Sequence, residues 1–346
     1  MRPCPYGPPE ARCGRVTRVD VAVIGLGLIG GSLAQALAAD GHRVVGFDAD
    51  PATRGTARTA AAHAPPQARW QVAGRLRDAA TQAELVALAV PLPALPAVLA
   101  ELAGYDGLVT DVTSVKGPVR DLLRRHLPTA TYVGGHPMAG KETSGFAAAD
   151  PGLFTGCAWV LCLEPRETAL PGWLALARAV TALGARAVPA TAAEHDRAVA
   201  AASHVPHLLA AALTTAVAGD PLAGALAAGS FRDGTRVAAT RPELIAAMCG
   251  GNATAVGPAL DGVLKTLAEL RSALDEPDPA AALRPLLAPA SSARAAWPVR
   301  AGTAVDVPWH ADALLELGRA GGWVTGVDDE RRVVRGVRPE TVGGRP

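Results

Sequence analysis

Between Gly134 and Gly145 the chain reads GGHPMAGKETSG, which sets one imidazole, one ammonium, one carboxylate and two hydroxyls among four glycines. An imidazole can receive a proton from a hydroxyl, and His136 has the side chain suited to that near neutral pH. Ser114 and Lys116 stand in an earlier segment, DVTSVKG, and Glu142 follows His136 by six positions. Taken singly, each has a plain structural role: a hydrogen-bonded turn for a His before Pro, a helix cap for Ser114, a solvated charge for Lys116 or Glu142. They form a group because both segments follow apolar runs. If those runs are strands of an open parallel sheet, their carboxyl ends are where such a sheet binds ligands.

A second motif supplies a partner for hydride chemistry. VAVIGLGLIGGSLA contains Gly25-x-Gly27-x-x-Gly30 between an apparent strand and helix. Glycines there allow a tight turn and close backbone approach, so that a pyrophosphate rests on the helix N-terminus. Leu28, Ile29 and Gly30 lie where the turn passes into a helix expected from about Ile29 to Ala39, and Gly31 and Ser32 stand next to the third glycine as further donors. Asp48 ends the following strand, where a carboxylate accepts both ribose hydroxyls and repels a 2′-phosphate. This favours NAD over NADP, although Arg54 lies close enough in sequence to leave the choice open. Val90 and Pro91, after the strand ELVALAV, complete the expected cofactor set.

The positioning elements follow from periodicity. From Arg18, continuous apolar strands alternate with helices as far as ARAVPA, which marks a doubly wound parallel sheet covered on both faces. After Pro189 a long helix-forming run begins, interrupted at GDPLAG and GSFRDGTR. We expect a loose leader at 1–17, a Rossmann-type α/β domain at 18–189 and an all-α domain at 190–288. A Pro/Ala/Ser linker at 289–302 then leads to a strand-helix-strand-strand tail at 303–346, too short for a sturdy core of its own. His195, His204 and His207 fall in the helical run, the last two a turn apart on one face. Without an HExxH pattern or neighbouring carboxylates we expect no metal.

Composition narrows the class. A chain of 346 residues that is 49% hydrophobic, with a formal charge of +1, reads as compact and offers no basic face for nucleic acid. Five scattered cysteines without CxxC pairing fit a reducing compartment. The start has no apolar h-region, and charges, Pro or Gly break the apolar runs, so we expect a cytoplasmic protein with no membrane span.

GLGLIGGSLA, DVTSVK, GGHPMAGKETSG, EHDRAVAAASHVPH and FRDGTRVAATRPEL, in this order, resemble the prephenate dehydrogenase family, which includes arogenate dehydrogenases. The resemblance runs from about Val19 to Leu287. It implies an NAD-dependent oxidative decarboxylation of a cyclohexadienyl dianion in tyrosine biosynthesis: hydride leaves the ring carbon bearing the hydroxyl, carbon dioxide departs and the ring aromatises. It further implies that His136 polarises the substrate hydroxyl with Ser114 nearby, that Arg236 binds a carboxylate, and that Glu142 gates the site. His195, His204 and His207 would line or buttress it, Lys116 would add positive potential toward the substrate, and the helical domain would form a homodimer. A guanidinium suits a carboxylate because it can bind in bidentate fashion; Arg232 is the weaker candidate of the two.

The chain departs from the resemblance at Leu244 and Ile245, where relatives often carry a Trp, so 4-amino-4-deoxyprephenate joins prephenate and arogenate as a candidate substrate. The tail resembles the first half of an ACT domain, with WHAD in place of its usual turn, and reads as a degenerate ACT-like remnant. An imine-reductase or 3-hydroxyacid type of dehydrogenase would share the glycine loop without needing GGHPMAG. A non-catalytic NAD-binding regulator is the alternative from another class.

Overall fold

The computed structural model describes residues 18–297 and 302–340. The leader expected at 1–17, with Cys4 and Cys13, lies outside the described residues, as does the end of the tail after 340. The chain divides into two compact units, one containing the chain up to His195 together with Ala304–Arg338, the other containing Asp196–Thr303.

The first unit opens with β1 (Asp20–Ile24), α1 (Leu28–Ala39), β2 (Arg43–Phe47), α2 (Pro51–His63), β3 (Gln71–Val72), α3 (Leu76–Ala80), β4 (Leu85–Leu88), α4 (Leu95–Glu101), β5 (Leu108–Asp111), α5 (Gly117–His126) and β6 (Thr131–Val133). These strands form one six-stranded parallel sheet in the order β3-β2-β1-β4-β5-β6. The pleat explains the unbroken apolar runs. Val21 and Val23 enter the core on one face of the sheet, while Ala22 and Ile24 enter a separate core on the other. The order reverses between β1 and β4, which opens a ligand crevice beyond their carboxyl ends.

The parallel sheet ends sooner than the sequence suggests. TYVGG splits at Gly134: β6 stays in the first sheet, and β7 (Gly135–Pro137) starts a second one. There it pairs antiparallel with β8 (Ala158–Cys162), which runs parallel to β9 (Arg186–Ala190) across α6 (Leu170–Ala182). The apolar runs of β8 and β9 look like more parallel strands because they too are covered, by α6 and its neighbours, in the same core that lies under β1.

Helices α7 (Ala192–Val199), α8 (Val205–Val217), α9 (Pro221–Leu226), α10 (Gly229–Thr235), α11 (Pro242–Gly251), α12 (Ala253–Ala273) and α13 (Pro279–Ala296) come next. A π turn at Ala200–His204 joins α7 to α8. The resulting run Ala192–Val217 is, by length and composition, apolar enough to cross a membrane. Pro206 does not interrupt this run, since it sits in the first turn of α8, where its missing N–H costs little. The expected linker is also corrected: α13 continues to Ala296 through Pro285 and Pro289. Each proline removes one helical hydrogen bond, but the surrounding alanines and leucines favour helix enough to carry it through.

The tail forms β10 (Gly302–Pro308), α14 (Ala311–Arg319), β11 (Trp323–Asp328) and β12 (Val333–Pro339). It does not stand apart. β11 pairs antiparallel with β9 through Val324 and Ala187, which gives the second sheet the order β10-β12-β11-β9-β8-β7. Leu314, Leu317 and Val324 are fully buried in the same core as Trp159 and Leu161 of β8. The short segment gains the core it cannot build alone by extending a sheet that already has one.

Candidate active site

Gly25 leaves β1 with φ +97°, and a Cβ there would strike the Ala89 carbonyl just beyond β4. Gly30 lies against the Gly25 carbonyl so closely that no side chain fits. Gly27 is the opposite case: nothing stands within 4 Å of where its Cβ would be, and as the N-cap of α1 it brings no side chain to the first-turn amides. An uncapped helix start with open space above it fits a pyrophosphate. Val90 borders the same turn, its side chain 2.9 Å from the position a Gly25 Cβ would take.

Asp48 follows β2, half-buried, and accepts hydrogen bonds from Leu26 N at 2.7 Å and Asp50 N at 2.9 Å. These amides fix the carboxylate beside the glycine turn. Arg54 donates to the Asp48 and Ala49 carbonyls at 2.7 and 3.0 Å and lies over the Phe47 ring, so its charge is engaged beneath Asp48 rather than presented to a 2′-phosphate. Ser32 is corrected. It is fully buried, donating to Leu28 O at 2.7 Å and accepting from Asp150 N at 2.9 Å, and it ties α1 to a distant loop instead of facing a phosphate.

His136 sits in the middle of β7, opposite Val160 of β8. Its Nδ1 lies 2.9 Å from Nε2 of His195, which is buried in α7, and the two rings meet edge to face. One of those nitrogens donates and the other accepts, so the contact couples the tautomers of the two rings and fixes the plane of His136.

The residue before His136 is held as firmly. Gly135 N donates to Asp111 Oδ1 at 3.2 Å, and Gly135 O accepts from Lys116 Nζ at 2.6 Å. Lys116 also forms an ion pair with Asp111 and reaches Thr113 Oγ1 at 3.1 Å. Lys116 was expected to face the substrate; its side chain is only 1% exposed and the ammonium is occupied by these three acceptors. It anchors the strand that carries His136. Asp111 accepts in addition from Thr113 N, Thr113 Oγ1 and Tyr132 Oη. A Cβ at Gly135 would collide with the Asp111 carbonyl, so glycine is required at this crossing.

Ser114 lies half-buried in the loop between Asp111 and Lys116, and Glu142 is exposed in the loop after β7. That loop is pinned where Lys141 meets Asp150 at 3.0 Å, a contact that holds the Asp150 carboxyl below its ordinary value.

In the helical unit, His204 closes the π turn and is fully buried; Asn252 donates to its Nδ1 at 3.2 Å and to Asp196 O at 2.7 Å. His207 is half-buried, with Nδ1 donating to Ser203 O at 2.8 Å, which leaves its lone pair on Nε2. A π turn adds a residue to the helical repeat and commonly marks functional sites. Arg236 begins an exposed 3-10 turn, and Arg232 is exposed on α10 beside Asp233 at 3.8 Å. Among the described residues no three His, Cys, Asp or Glu side chains come together to hold a metal.

The sequence alone does not single out Asp111 or Asn252. Asp111 was within the quoted DVTSVK, and a carboxylate at a strand end five residues before a lysine was the available signal. Asn252 had none, because its partners lie 48 and 56 positions away.

Two family models match. Prephenate dehydrogenase, nucleotide-binding domain, covers residues 33–188, and prephenate dehydrogenase, dimerization domain, covers 191–287. A cyclohexadienyl dehydrogenase of Zymomonas mobilis is 34% identical over 269 residues, spanning 75% of this chain and 89% of the relative. Among solved structures, Synechocystis arogenate dehydrogenase has a TM-score of 0.66 at 32% identity, covering 80% of this chain and 99% of that one. Prephenate dehydrogenase from Aquifex aeolicus, in complex with hydroxyphenyl propionate and NAD+, shares the fold with a TM-score of 0.70 at 24% identity, over 82% of this chain and 98% of the other.

Proposed function

The chain belongs to the prephenate dehydrogenase family, and from that premise we propose that it converts prephenate to 4-hydroxyphenylpyruvate by oxidative decarboxylation. Its cofactor is NAD, which accepts the hydride when bound. The amides of Leu28, Ile29 and Gly30 hold the pyrophosphate, and Asp48 accepts the ribose hydroxyls. His136 takes the proton from the ring hydroxyl at Nε2, its Nδ1 being engaged as the donor to His195 Nε2 in this reading. Ser114 hydrogen-bonds at the same hydroxyl, Arg236 binds a substrate carboxylate, and Glu142 governs access.

The observation that carries this reading is the His136–His195 contact on a strand clamped at both polar groups of Gly135. A turn histidine with no task needs neither restraint. Relatives named for cyclohexadienyl and arogenate substrates make the substrate side chain the open variable, so arogenate and 4-amino-4-deoxyprephenate stand beside prephenate.

We further propose a homodimer. The helical unit buries little of its own surface, while Leu213, Leu222, Leu226, Leu264 and Leu274 are exposed, and the matched domain is a dimerization domain. Cys157 and Cys249 are not joined in a disulfide, which fits a cytoplasmic setting.

The test is appearance of reduced nicotinamide with purified protein, NAD and each of the three substrates in turn. His136→Asn is expected to lower kcat by about 10²- to 10⁴-fold with NAD binding unchanged, and Arg236→Gln to raise substrate KM. Full activity in both variants would overturn the assignments. Binding of NAD without turnover of any substrate would favour a regulator.

A further inference from the structure

We propose that the C-terminal segment braces the catalytic histidine pair: Arg319, through Glu194, fixes the start of α7 and so holds His195 against His136. Arg319 is then a positioning residue for the reaction, in a segment beyond the matched family domains, which end at residue 287. The inference rests on His136 being the proton acceptor.

Four observations lead to it. First, α14 is seated directly on β9: Gly318 approaches the Pro189 carbonyl so closely that a Cβ has no room. The helix end is thereby fixed one residue before Arg319. Second, Arg319 Nε donates to Glu194 Oε1 at 2.6 Å, linking the last turn of α14 to the first turn of α7. Each charge also suits its helix end, an acid at an N-terminus and a base at a C-terminus.

Third, Glu194 is already part of the start of α7. Its Oε2 accepts from Thr191 N at 2.9 Å and Thr191 Oγ1 at 2.8 Å, while Thr191 Oγ1 accepts from Glu194 N at 3.2 Å. This reciprocal capping box sets where α7 begins. Burial pushes the Glu194 carboxyl up, but the Thr191 and Arg319 contacts together outweigh it and hold the group below its ordinary value. Fourth, the next residue is His195, 2% exposed and 2.9 Å from His136. A shift in the start of α7 is therefore transmitted directly to the histidine pair.

The brace does not depend on the ion pair alone, because β11 pairs with β9 and the buried face of α14 keeps the segment in place without it. Arg319→Ala in the full chain thus isolates the link. With Arg319 about half exposed, the expected loss in kcat is about three- to fivefold, the scale of a partly exposed ion pair. KM for NAD should not change, Arg319→Lys should recover most of the loss, and Glu194→Gln should resemble Arg319→Ala. In a His195→Asn background, Arg319→Ala should have no further effect.

Unchanged kcat in both Arg319→Ala and Glu194→Gln would overturn the proposal. So would an equal loss from Arg319→Ala with and without His195, or a matching rise in KM for NAD. Undiminished activity in His136→Asn would instead remove the reading of the site on which the proposal rests. An inactive His136→Asn combined with additive Arg319 and His195 effects removes only the brace.

Discussion

Replacing Lys116 by Met leaves the Asp111 carboxylate buried without its cation, and the structure sets the size of the penalty. Removing one partner of a buried ion pair costs about 3–5 kcal/mol, because the remaining charge loses its compensation. Asp111 would keep Thr113 N at 3.0 Å, Tyr132 Oη at 2.8 Å, Gly135 N at 3.2 Å and the Thr113 hydroxyl. Four remaining donors place the loss at the lower end, about 3 kcal/mol. Asp111→Asn is expected to cost about as much, and the Asp111→Asn/Lys116→Met double variant about 2 kcal/mol less than the sum, because neither charge is then stranded. Urea unfolding of the four proteins without ligand measures all three quantities. The same change frees the Gly135 carbonyl, so kcat should fall further than KM for NAD changes. A loss under about 1 kcal/mol for Lys116→Met, or strict additivity in the double variant, would mean the ammonium does not anchor the strand.

Two further tests separate architecture from binding. Gly27→Ala is expected to leave stability within about 0.5 kcal/mol of the parent, since its Cβ meets open space, while weakening NAD binding about tenfold or more by filling the phosphate cradle; Gly30→Ala should lower both, as its Cβ collides with the Gly25 carbonyl. Thermal shift with and without NAD reads out each. The Arg319–Glu194 link predicts a pH dependence of definite sign. A carboxyl held below its ordinary value contributes stability that is fully present above the unfolded-state value, about 4.3, and is lost as pH falls through the lower folded-state value. The stability difference between the parent and Arg319→Ala should therefore be constant near neutrality and vanish in acid; a difference that persisted there would exclude the carboxylate as its source. Burial pushes the Cys157 thiol up to about 11, so alkylation at mildly alkaline pH should label it far more slowly than a free thiol.

The legible part of this molecule was the part written in short-range chemistry. The glycine turn, Asp48 and the alternation of strand and helix depend on neighbours within some 20 residues, and the sequence carries them openly. Lys116 was misread because a lysine in a polar loop looks solvated until Asp111, five positions earlier, is brought beneath it. Ser32 was misread for a similar reason, since its hydroxyl is taken up by Asp150, 118 positions away. The second sheet was hidden because buried strands read as apolar runs whether parallel or not. Only the Gly134–Gly135 pair marked the change, and it resembled a loop.

That change of sheet is also why His136 can be held from two directions. A residue at the end of a parallel strand normally enters a loop, where its backbone has no ladder partner. Here Gly134 O accepts from Cys162 N at 2.7 Å, and β7 pairs with β8 at once, so the histidine leaves the first sheet only to enter the second. The Asp111–Lys116 pair grips the residue before it from the side of the parallel sheet, and His195 meets its ring from α7, which follows β9. β9 in turn carries β11 and α14 on its other side. The tail thus completes the second of two supports that converge on one imidazole, so changes at Lys116 and at Arg319 should reach the same ring through separate paths and combine additively in kcat. If the double variant were no worse than the weaker single one, the two supports would be a single path, and the separation argued from the two sheets would fail.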